Sequence, residues 1–352
     1  MTDTLTALPQ PRFPDPRDAP SLRWGILAPG AIANDFVHSL RAHTGQRVVA
    51  VGSRNADRAA AFADRHEVGR SYGSYEELVA DSEVDVVYIA SPHSEHTANA
   101  LLAIGAGKHA LIEKPMAATA AEAQEIVDAA RAAGVFAMEA MWTRYLPQLD
   151  IARQLLEAGS LGEVRVVTAD FGGAAEFDPK SRLFDPRLAG GALLDIGVYT
   201  VSFASFAMGG APTSVIASGE LAPSGVDAQA ALILTGPTGA QALLSTGLHA
   251  RTPWTASIAG TLGRLDIDSP FWSASGVRVH DTQGHLIGTW RDESGRPDRQ
   301  GMCYQAAALA RYVTAGLTES PLHSLDETIS IITTIDEARR QLGYVRLGHA
   351  AE

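Results

Sequence analysis

A lysine and a tyrosine stand at positions in this chain where chemistry on an alcohol is possible. Lys114 follows an apolar segment, His109–Ile112, that the pattern predicts as a strand. Tyr199 lies in a predicted helix, 192–206, with Asp195 one turn before it on the same face. Each residue alone has a simpler interpretation, because lysines at strand ends are usually solvated and tyrosines on apolar helices usually lie in the core.

Together the three residues have the chemical types that hydride transfer from an alcohol carbon requires. The transfer needs a proton acceptor at the hydroxyl. A phenol has a free pKa of about 10, and a nearby ammonium group lowers that pKa. We therefore expect Tyr199 to be the acid/base and Lys114 to tune it and bind the reacting oxygen. Asp195 would orient Lys114 or bind a substrate hydroxyl.

The turn after the first predicted strand, 22–28, is a candidate phosphate-binding loop. It stands where dinucleotide-binding domains carry G-x-G-x-x-G/A. Gly30 would let the backbone approach a pyrophosphate, which would rest on the amides at the start of the next helix. Ala28 replaces the first glycine, so the turn is expected to use a conformation that alanine allows. An ordinary strand–turn–helix is the alternative. The segment is Ala28-Pro29-Gly30-Ala31-Ile32-Ala33.

The end of the second predicted strand favours NADP over NAD. Domains of this kind select NAD with an acid at this position, which accepts hydrogen bonds from the ribose. The chain has Ser53 and Arg54 there instead, with Arg58 one helical turn further on. Ser53 can hydrogen-bond a 2′-phosphate, and Arg54 can pair with it. The alternative is that both arginines are solvated surface cations.

The pattern of apolar segments predicts two domains after a proline-rich arm, 1–21. Strands rich in Val and Ile alternate with helices over 22–145, which indicates a doubly wound parallel sheet. Asn55, Ser74 and Thr119 are expected to cap helices there. Over 146–352, strands joined by glycine turns predict an α+β domain on a large, mostly antiparallel open sheet. The fold class is therefore α/β, a Rossmann dinucleotide-binding domain followed by a substrate-binding and oligomerisation domain.

Composition excludes several classes of function. The chain has 352 residues and a formal net charge of −12, which argues against nucleic acid and anionic membranes as partners. No apolar run approaches the roughly 18 residues of a membrane span. The single cysteine, Cys303, permits no intrachain disulfide, which fits a reducing cytoplasm. His93 and His96 have no acids or cysteines at metal-ligand spacing, so no metal is expected.

Three segments, with the N-terminal loop, carry a resemblance that covers about residues 22 to 343. They resemble the Gfo/Idh/MocA (glucose–fructose oxidoreductase/inositol dehydrogenase) family. The segment 138–145 and Tyr199 are similar to its dimeric dihydrodiol dehydrogenase branch, whereas most of the wider family has His where this chain has Tyr199. The three segments are Ser91-Pro92-His93-Ser94-Glu95-His96, Glu113-Lys114-Pro115, and 189–199, which begins Ala-Gly-Gly and ends Gly-Val-Tyr.

The resemblance implies roles for residues that spacing alone does not assign. Ser91, Pro92, Glu113 and Lys114 would lie in the cofactor site, and His93 would contact the nicotinamide ribose. His96 would be a structural hydrogen-bonding residue. A cis bond before Pro115 would aim Lys114 inward.

Other polar and aromatic residues are weaker candidates for the substrate pocket. Trp142 would wall the nicotinamide or a cyclic substrate, with a core tryptophan as an equal alternative. Arg182, in a long loop, would reach a polar substrate. Phe271 and Trp272 are expected to belong to the pocket or to a subunit contact.

The predicted function is NADP-dependent oxidation or reduction of a sugar or cyclic polyol. An exposed apolar sheet face favours association into a homodimer or homotetramer, and the resemblance also implies such an assembly. A sugar–sugar oxidoreductase with tightly held NADP is one alternative. The other is a non-catalytic dinucleotide-sensing regulator, which would be expected to lose Lys114 and Tyr199.

Overall fold

A computed structural model describes residues 8–344, which divide into two compact units. The first unit is Pro14–Tyr145 with Asp298–Ile329. The second is 8–13, Leu146–Pro297 and 330–344. The sequence pattern assigned all of 146–352 to one domain, whereas the structure groups 298–329 with the first unit. Of the predicted arm, residues 1–7 lie outside the described part of the chain.

The first unit is built on a six-stranded parallel sheet, as predicted. Its order is β3-β2-β1-β4-β5-β6, so the direction of winding reverses between β1 and β4. Open sheets of this kind bind ligands at the carboxyl ends of the strands on either side of that reversal. The strands are β1 Arg23–Leu27, β2 Arg47–Gly52, β3 Arg70–Tyr72, β4 Val86–Ile89, β5 His109–Ile112 and β6 Ala137–Glu139.

Helices connect these strands and cover the sheet. Asn55, Ser74 and Thr119 cap the helices that follow them, each accepting from a backbone amide three residues on, as predicted. The helices are α1 Ala31–His43, α2 Ala56–Arg65, α3 Tyr75–Ala80, α4 His96–Gly105, α5 Ala120–Ala133 and, returning late in the sequence, α8 Met302–Thr314.

The strand register aligns the ends of the sheet. Leu27 of β1 pairs with Gly52 on one side and with Ile89 on the other. Ile89 pairs with Ile112, which pairs with Glu139. These residues form one row across five strands, so the segments that follow them all leave from the same edge.

The second unit is built on an eight-stranded sheet ordered β14-β13-β12-β11-β7-β10-β9-β8. Its neighbours are antiparallel except for β7 and β10, which confirms the predicted mostly antiparallel sheet. The strands are β7 Val164–Gly172, β8 Ser214–Leu221, β9 Asp227–Thr235, β10 Gln241–Gly247, β11 Ala256–Gly260, β12 Arg264–Ile267, β13 Gly276–His280 and β14 Leu286–Arg291.

Two helices of the second unit are α6, Pro147–Glu157, and α7, Val198–Met208. The predicted helix over 192–206 is not regular, because Leu193–Gly197 forms a π-helical turn before α7. The stretch Pro186–Met208 has the length and hydropathy of a membrane span, yet 83% of its most apolar window is buried within the fold, as in a core helix. The last helix, α9, is Leu325–Gln341 and continues from the first unit into the second.

Along β9, residues on the buried face of the second sheet alternate with residues on its open face. Ala228, Ala230, Leu232 and Leu234 are buried, whereas the residues between them face outward and include Ile233. A period of two is the pattern of a strand with one face on a core and the other open.

Candidate functional site

The predicted phosphate turn leaves β1 in a strained conformation. Ala28 has φ of +67°, in the left-handed region that favours glycine. The expectation that this turn uses a conformation suited to alanine is therefore wrong. The Ala28 amide donates to Gly52 O over 3.1 Å, and the Gly30 amide donates to Ala28 O over 2.8 Å, so local hydrogen bonds hold the turn. A non-glycine residue in this region costs about 1–2 kcal/mol.

The start of α1 fits a pyrophosphate group. Gly30 is its N-cap and supplies no side-chain hydrogen bond, unlike the caps of α2, α3 and α5. The first amides of a helix have no partner within the helix, and they bind anions well. A Cβ built on Gly30 would meet nothing within 4 Å, so open space lies beside these amides. Pro29 completes the turn, and Ala31 and Ile32 are the first helical residues.

The segment after β2, predicted to face the adenosine ribose, carries a serine and two arginines. The Arg54 side chain is 68% exposed, and its Nη1 lies 3.8 Å from Glu95 Oε2. Its guanidinium also lies 6.0 Å from the centre of the Tyr75 ring. Ser53 is buried and its Oγ accepts from the Asn55 amide. Arg58 is exposed on α2. The contacts of Arg54 with Glu95 and Tyr75 were not foreseen.

The loops after β4 and β5 are tied together by His96. Its Nδ1 lies 2.8 Å from Pro115 O and its Nε2 lies 2.8 Å from Ser91 O. The side chain is fully buried, and burial lowers its pKa. Ser91 Oγ also accepts from Asn99, and the buried His93 ring packs edge-on against His96. His96 thus connects the two segments of the predicted cofactor site.

Lys114 follows β5 and is partly buried. Its bond to Pro115 is cis, as expected. The Lys114 amide donates to Glu113 Oε2 over 3.1 Å, and Glu113 also accepts from the buried Tyr88 hydroxyl. Burial raises the pKa of Glu113. Trp142 is only 3% exposed, which agrees with the core alternative for this residue.

In the second unit, Tyr199 lies on α7 beside an aromatic cluster. Its ring centre is 5.5 Å from that of Phe171, and Phe171 stacks on Trp272 at 5.2 Å with the planes 4° apart. Trp254 and Phe271 pack edge-on against the same phenylalanine. Of these four rings, only Phe271 and Trp272 were predicted. Phe171 and Trp254 lie far apart in sequence, and no motif marks them.

The cluster is fixed by a carboxylate on β7. Trp254 has φ of +61°, in the left-handed region. Asp170 accepts from its amide over 2.7 Å and from the Thr255 amide over 3.1 Å. The Trp254 indole donates to Gly172 O over 2.6 Å. These bonds hold the indole against Phe171.

Asp195 and Arg182, both predicted to bind substrate, form an ion pair. Arg182 Nη1 donates to Asp195 Oδ1 over 2.8 Å. The Asp195 side chain is mostly buried and the Arg182 side chain is largely exposed. The arginine therefore holds the carboxylate of the residue four positions before Tyr199.

A buried ion pair anchors the π-helical turn that carries Asp195. Asp227 accepts from the Leu193 amide over 2.6 Å and lies 3.1 Å from Arg339 Nε. Gly191 has φ of +122°, and a Cβ built there would lie 2.4 Å from Asp227 Oδ1, so only glycine fits. Burial raises the pKa of Asp227. π turns within helices often occur at functional sites.

No group of three or more His, Cys, Asp or Glu side chains is placed to hold a metal ion within residues 8–344.

Comparison with protein-family models and relatives shows where this chain belongs. Residues 22–141 match the model described as "Oxidoreductase family, NAD-binding Rossmann fold", and residues 150–266 match the "GFO/IDH/MocA C-terminal domain". The chain is 38% identical over 328 residues to trans-1,2-dihydrobenzene-1,2-diol dehydrogenase of Sus scrofa, covering 92% of this chain and 97% of that one. The Homo sapiens protein of the same name is 35% identical over 327 residues, with the same coverage.

Two solved structures have a similar fold. The aldose–aldose oxidoreductase of Caulobacter crescentus, complexed with glycerol, matches with a TM-score of 0.81 and 25% identity, over 93% of this chain and 100% of that one. A 3-ketoreductase from Actinomadura kijaniata, in complex with NADP and TDP-benzene, matches with a TM-score of 0.77 and 26% identity, over 92% and 98%.

Replacing the strained alanine of the phosphate turn should stabilise the protein. Ala28→Gly relieves the left-handed strain but adds backbone freedom to the unfolded chain, so we expect the free energy of unfolding to rise by about 0.5–1 kcal/mol. Urea titration measures this change. The matched control, Ala60→Gly on the exposed face of α2, should lose about 1 kcal/mol. A loss in Ala28→Gly as large as in the control would contradict the strained turn.

Proposed function

The chain belongs to the Gfo/Idh/MocA oxidoreductase family, and from this membership we propose that it is an NADP-preferring dehydrogenase of cyclic diols or related sugars. It is an NAD(P)-dependent oxidoreductase. The observation that carries the narrower proposal is the position of Tyr199, a phenol on α7 beside a cluster of four aromatic rings. Relatives named diol dehydrogenases, 35–38% identical over more than nine-tenths of the chain, support the same substrate class.

The proposed chemistry divides between two side chains. When bound, the nicotinamide dinucleotide supplies the hydride acceptor or donor. In oxidation, Tyr199 Oη takes the proton of the substrate hydroxyl, and in reduction it returns that proton. The Lys114 ammonium stabilises the phenolate and binds the reacting oxygen. Asp195, held by Arg182, accepts from a second hydroxyl of the substrate.

The aromatic cluster supports a cyclic substrate. The rings of Phe171, Trp254 and Trp272 have apolar faces that pack against C–H edges and exclude water from the phenol. Exclusion of water strengthens the interactions of a phenolate with nearby charge. Such a wall suits a carbocycle or a pyranose better than an open-chain polyol.

NADP is the proposed cofactor because of the residues after β2. No acid stands at Ser53 or Arg54 to accept from a ribose hydroxyl. Arg54 is exposed enough to pair with a 2′-phosphate, and Arg58 adds a second cation one turn further on. NAD remains usable, since the turn and the start of α1 contact only the shared pyrophosphate.

A second candidate is transfer of hydride between two sugars with a tightly held cofactor. The similarity to the aldose–aldose oxidoreductase of Caulobacter crescentus favours it. NADP that remains with the protein through dialysis would support this function, and a cofactor-free protein after purification would oppose it. A non-catalytic regulator is disfavoured, since Lys114 and Tyr199 are both present.

We further propose that the open face of the second sheet forms a dimer contact. Ile216, Ile233 and Leu243 lie in one row across β8, β9 and β10, and they are 58%, 43% and 46% exposed. Val166 on β7 is 39% exposed. Contiguous exposed apolar surface of this kind commonly marks a protein–protein contact.

Removal of the proposed acid/base should abolish most turnover. We expect Tyr199→Phe to lower kcat on a cyclic diol by about 10²- to 10⁴-fold without loss of cofactor binding, and Lys114→Met to lower kcat to a similar extent. Tyr344→Phe is the matched control, because the Tyr344 hydroxyl has no hydrogen-bond partner among the described residues. Wild-type kcat in Tyr199→Phe would overturn the proposed role.

Loss of the cation after β2 should change cofactor choice. We expect Arg54→Ala to raise the Kd of NADP about tenfold and to leave the Kd of NAD unchanged, since a charge-assisted hydrogen bond contributes about 1.5–3 kcal/mol and exposure reduces it. Fluorescence titration measures both constants. Arg65→Ala, at the exposed far end of α2, should alter neither. An equal change for NAD and NADP would contradict the proposed 2′-phosphate contact.

A charge on the open sheet face should dissociate the proposed dimer. We expect Ile233→Asp to sediment as a monomer at concentrations where the wild type is a dimer or tetramer, because a buried unpaired carboxylate opposes association. Leu317→Asp changes a residue of similar exposure in the other unit and should leave the assembly intact. A monomeric wild type, or an unchanged mass of Ile233→Asp, would exclude this contact.

A further inference from the structure

A cluster of four charged side chains, three of them buried, lies in the first unit beside β6 and the start of α9. Glu139 ends β6 and is 1% exposed, and His323, just before α9, is 2% exposed. His323 Nε2 lies 2.9 Å from Glu139 Oε2, and its Nδ1 lies 3.3 Å from Glu327 Oε2. Glu327 also pairs with the buried Arg144. The cluster has no part in the chemistry proposed above.

The groups around His323 favour its positively charged form. Both ring nitrogens lie near carboxylate oxygens, which only accept, although Nδ1 also lies 3.4 Å from Arg144 Nη2 and Nε2 lies 3.1 Å from Thr328 Oγ1. Burial by itself lowers the pKa of His323, and the Arg144 charge lowers it further, but the hydrogen bonds to Glu139 and Glu327 outweigh these effects and raise the pKa. Two cations then balance two carboxylates, which makes the buried cluster neutral.

The second oxygen of Glu139 holds the turn that carries Lys114. Glu139 Oε1 accepts from the Met116 amide over 2.9 Å, in a buried bond. Met116 follows the Lys114–Pro115 bond directly. With the Lys114 amide on Glu113 and Pro115 O at His96, three successive residues of this turn are held by buried side chains. Only the contact at Met116 depends on the charged cluster.

We propose that Glu139 and His323 are positioning residues for Lys114: Glu139 fixes the backbone turn from which the lysine extends, and His323 fixes Glu139. Neither residue touches substrate or cofactor in this proposal. The inference rests on the proposed catalytic role of Lys114. A displacement of about 1 Å in a catalytic group can lower the rate about 10²-fold, so loss of the Glu139–His323 contact should be detectable as a lower kcat.

Two variants of the full chain separate the positioning role from a structural one. Removing one charged partner leaves the other buried and unpaired, whereas replacing both by apolar groups of similar size is often tolerated. Glu139→Leu with His323→Leu therefore removes the Met116 acceptor and keeps the charge balanced, since Arg144 and Glu327 still pair. Glu139→Gln with His323→Leu removes the same two charges but keeps an acceptor oxygen for Met116.

The experiment measures kcat, KM for NADP and diol, and hydrogen exchange of the peptide that contains Met116. In the double Leu variant we expect kcat to fall about 10- to 100-fold, both KM values to change less than about threefold, and exchange to accelerate. Glu139→Gln with His323→Leu should restore both kcat and protection, because the Met116 acceptor is present again. Ser320→Ala, which removes the buried bond to Tyr145 in the same unit, is the control and should leave kcat unchanged.

A Lys114→Met background distinguishes the possible failures. If the pair acts through Lys114, the double Leu substitution lowers the residual kcat no further in that background. An equal loss with and without Lys114, or an unchanged kcat in the double Leu variant when Lys114→Met alone lowers it, would overturn the positioning role and leave the proposed function intact. An unchanged kcat in Lys114→Met itself would overturn the proposed function, and the inference with it.

Discussion

The hydrogen-bond register of the parallel sheet is the constraint on which the first unit depends. Because Gly52, Leu27, Ile89, Ile112 and Glu139 pair in one row, the residues after them leave the sheet at one edge. The phosphate turn, the Ser53–Arg54 pair, the loop at His93 and the Lys114 turn all follow from that alignment. If one strand shifted its register by one residue, the loop after it would move by about 3.3 Å, and the side chains of the strand would turn to the other face of the sheet.

The second unit places Tyr199 by a different means. A buried ion pair, Asp227 with Arg339, holds the turn before α7, and glycine at 191 leaves room for the carboxylate. Asp170 then fixes Trp254 beside Phe171, the ring that contacts Tyr199. Removing one partner of a buried ion pair commonly costs about 3–5 kcal/mol, because the other charge is left buried and unpaired. The aromatic packing at Phe171 and the buried Asp227–Arg339 ion pair thus together orient the Tyr199 phenol.

Local rules of sequence predicted much of this arrangement. Continuous runs of apolar residues correctly predicted the parallel strands, because both faces of that sheet are buried. The side-chain chemistry of Asn55, Ser74 and Thr119 was enough to identify them as helix caps. Arg182 and Asp195 were predicted separately as substrate-binding residues, and the ion pair between them was not predicted. The grouping of 298–329 with the first sheet was not predicted, because no local signal marks a chain that returns to an earlier unit.

The remaining differences come from contacts between residues far apart in sequence. Ala28 adopts a left-handed conformation because its hydrogen bond to Gly52 at the end of β2, with that within the turn, outweighs a local preference of only about 1–2 kcal/mol. The contacts of Trp254 with Phe171 and of His323 with Glu139 join positions 83 and 184 residues apart, and periodicity carries no information at that range.

The pH dependence of kcat/KM for diol oxidation, compared between the wild type and Tyr199→Phe, shows whether Tyr199 is the acid/base. A base that must lose its proton before the reaction gives a falling limb at low pH. We expect this limb in the wild type, and we expect it to move to higher pH in Lys114→Met, because the ammonium no longer favours the phenolate. The residual activity of Tyr199→Phe should lack the limb. The same limb in Tyr199→Phe would show that a group other than Tyr199 moves the proton.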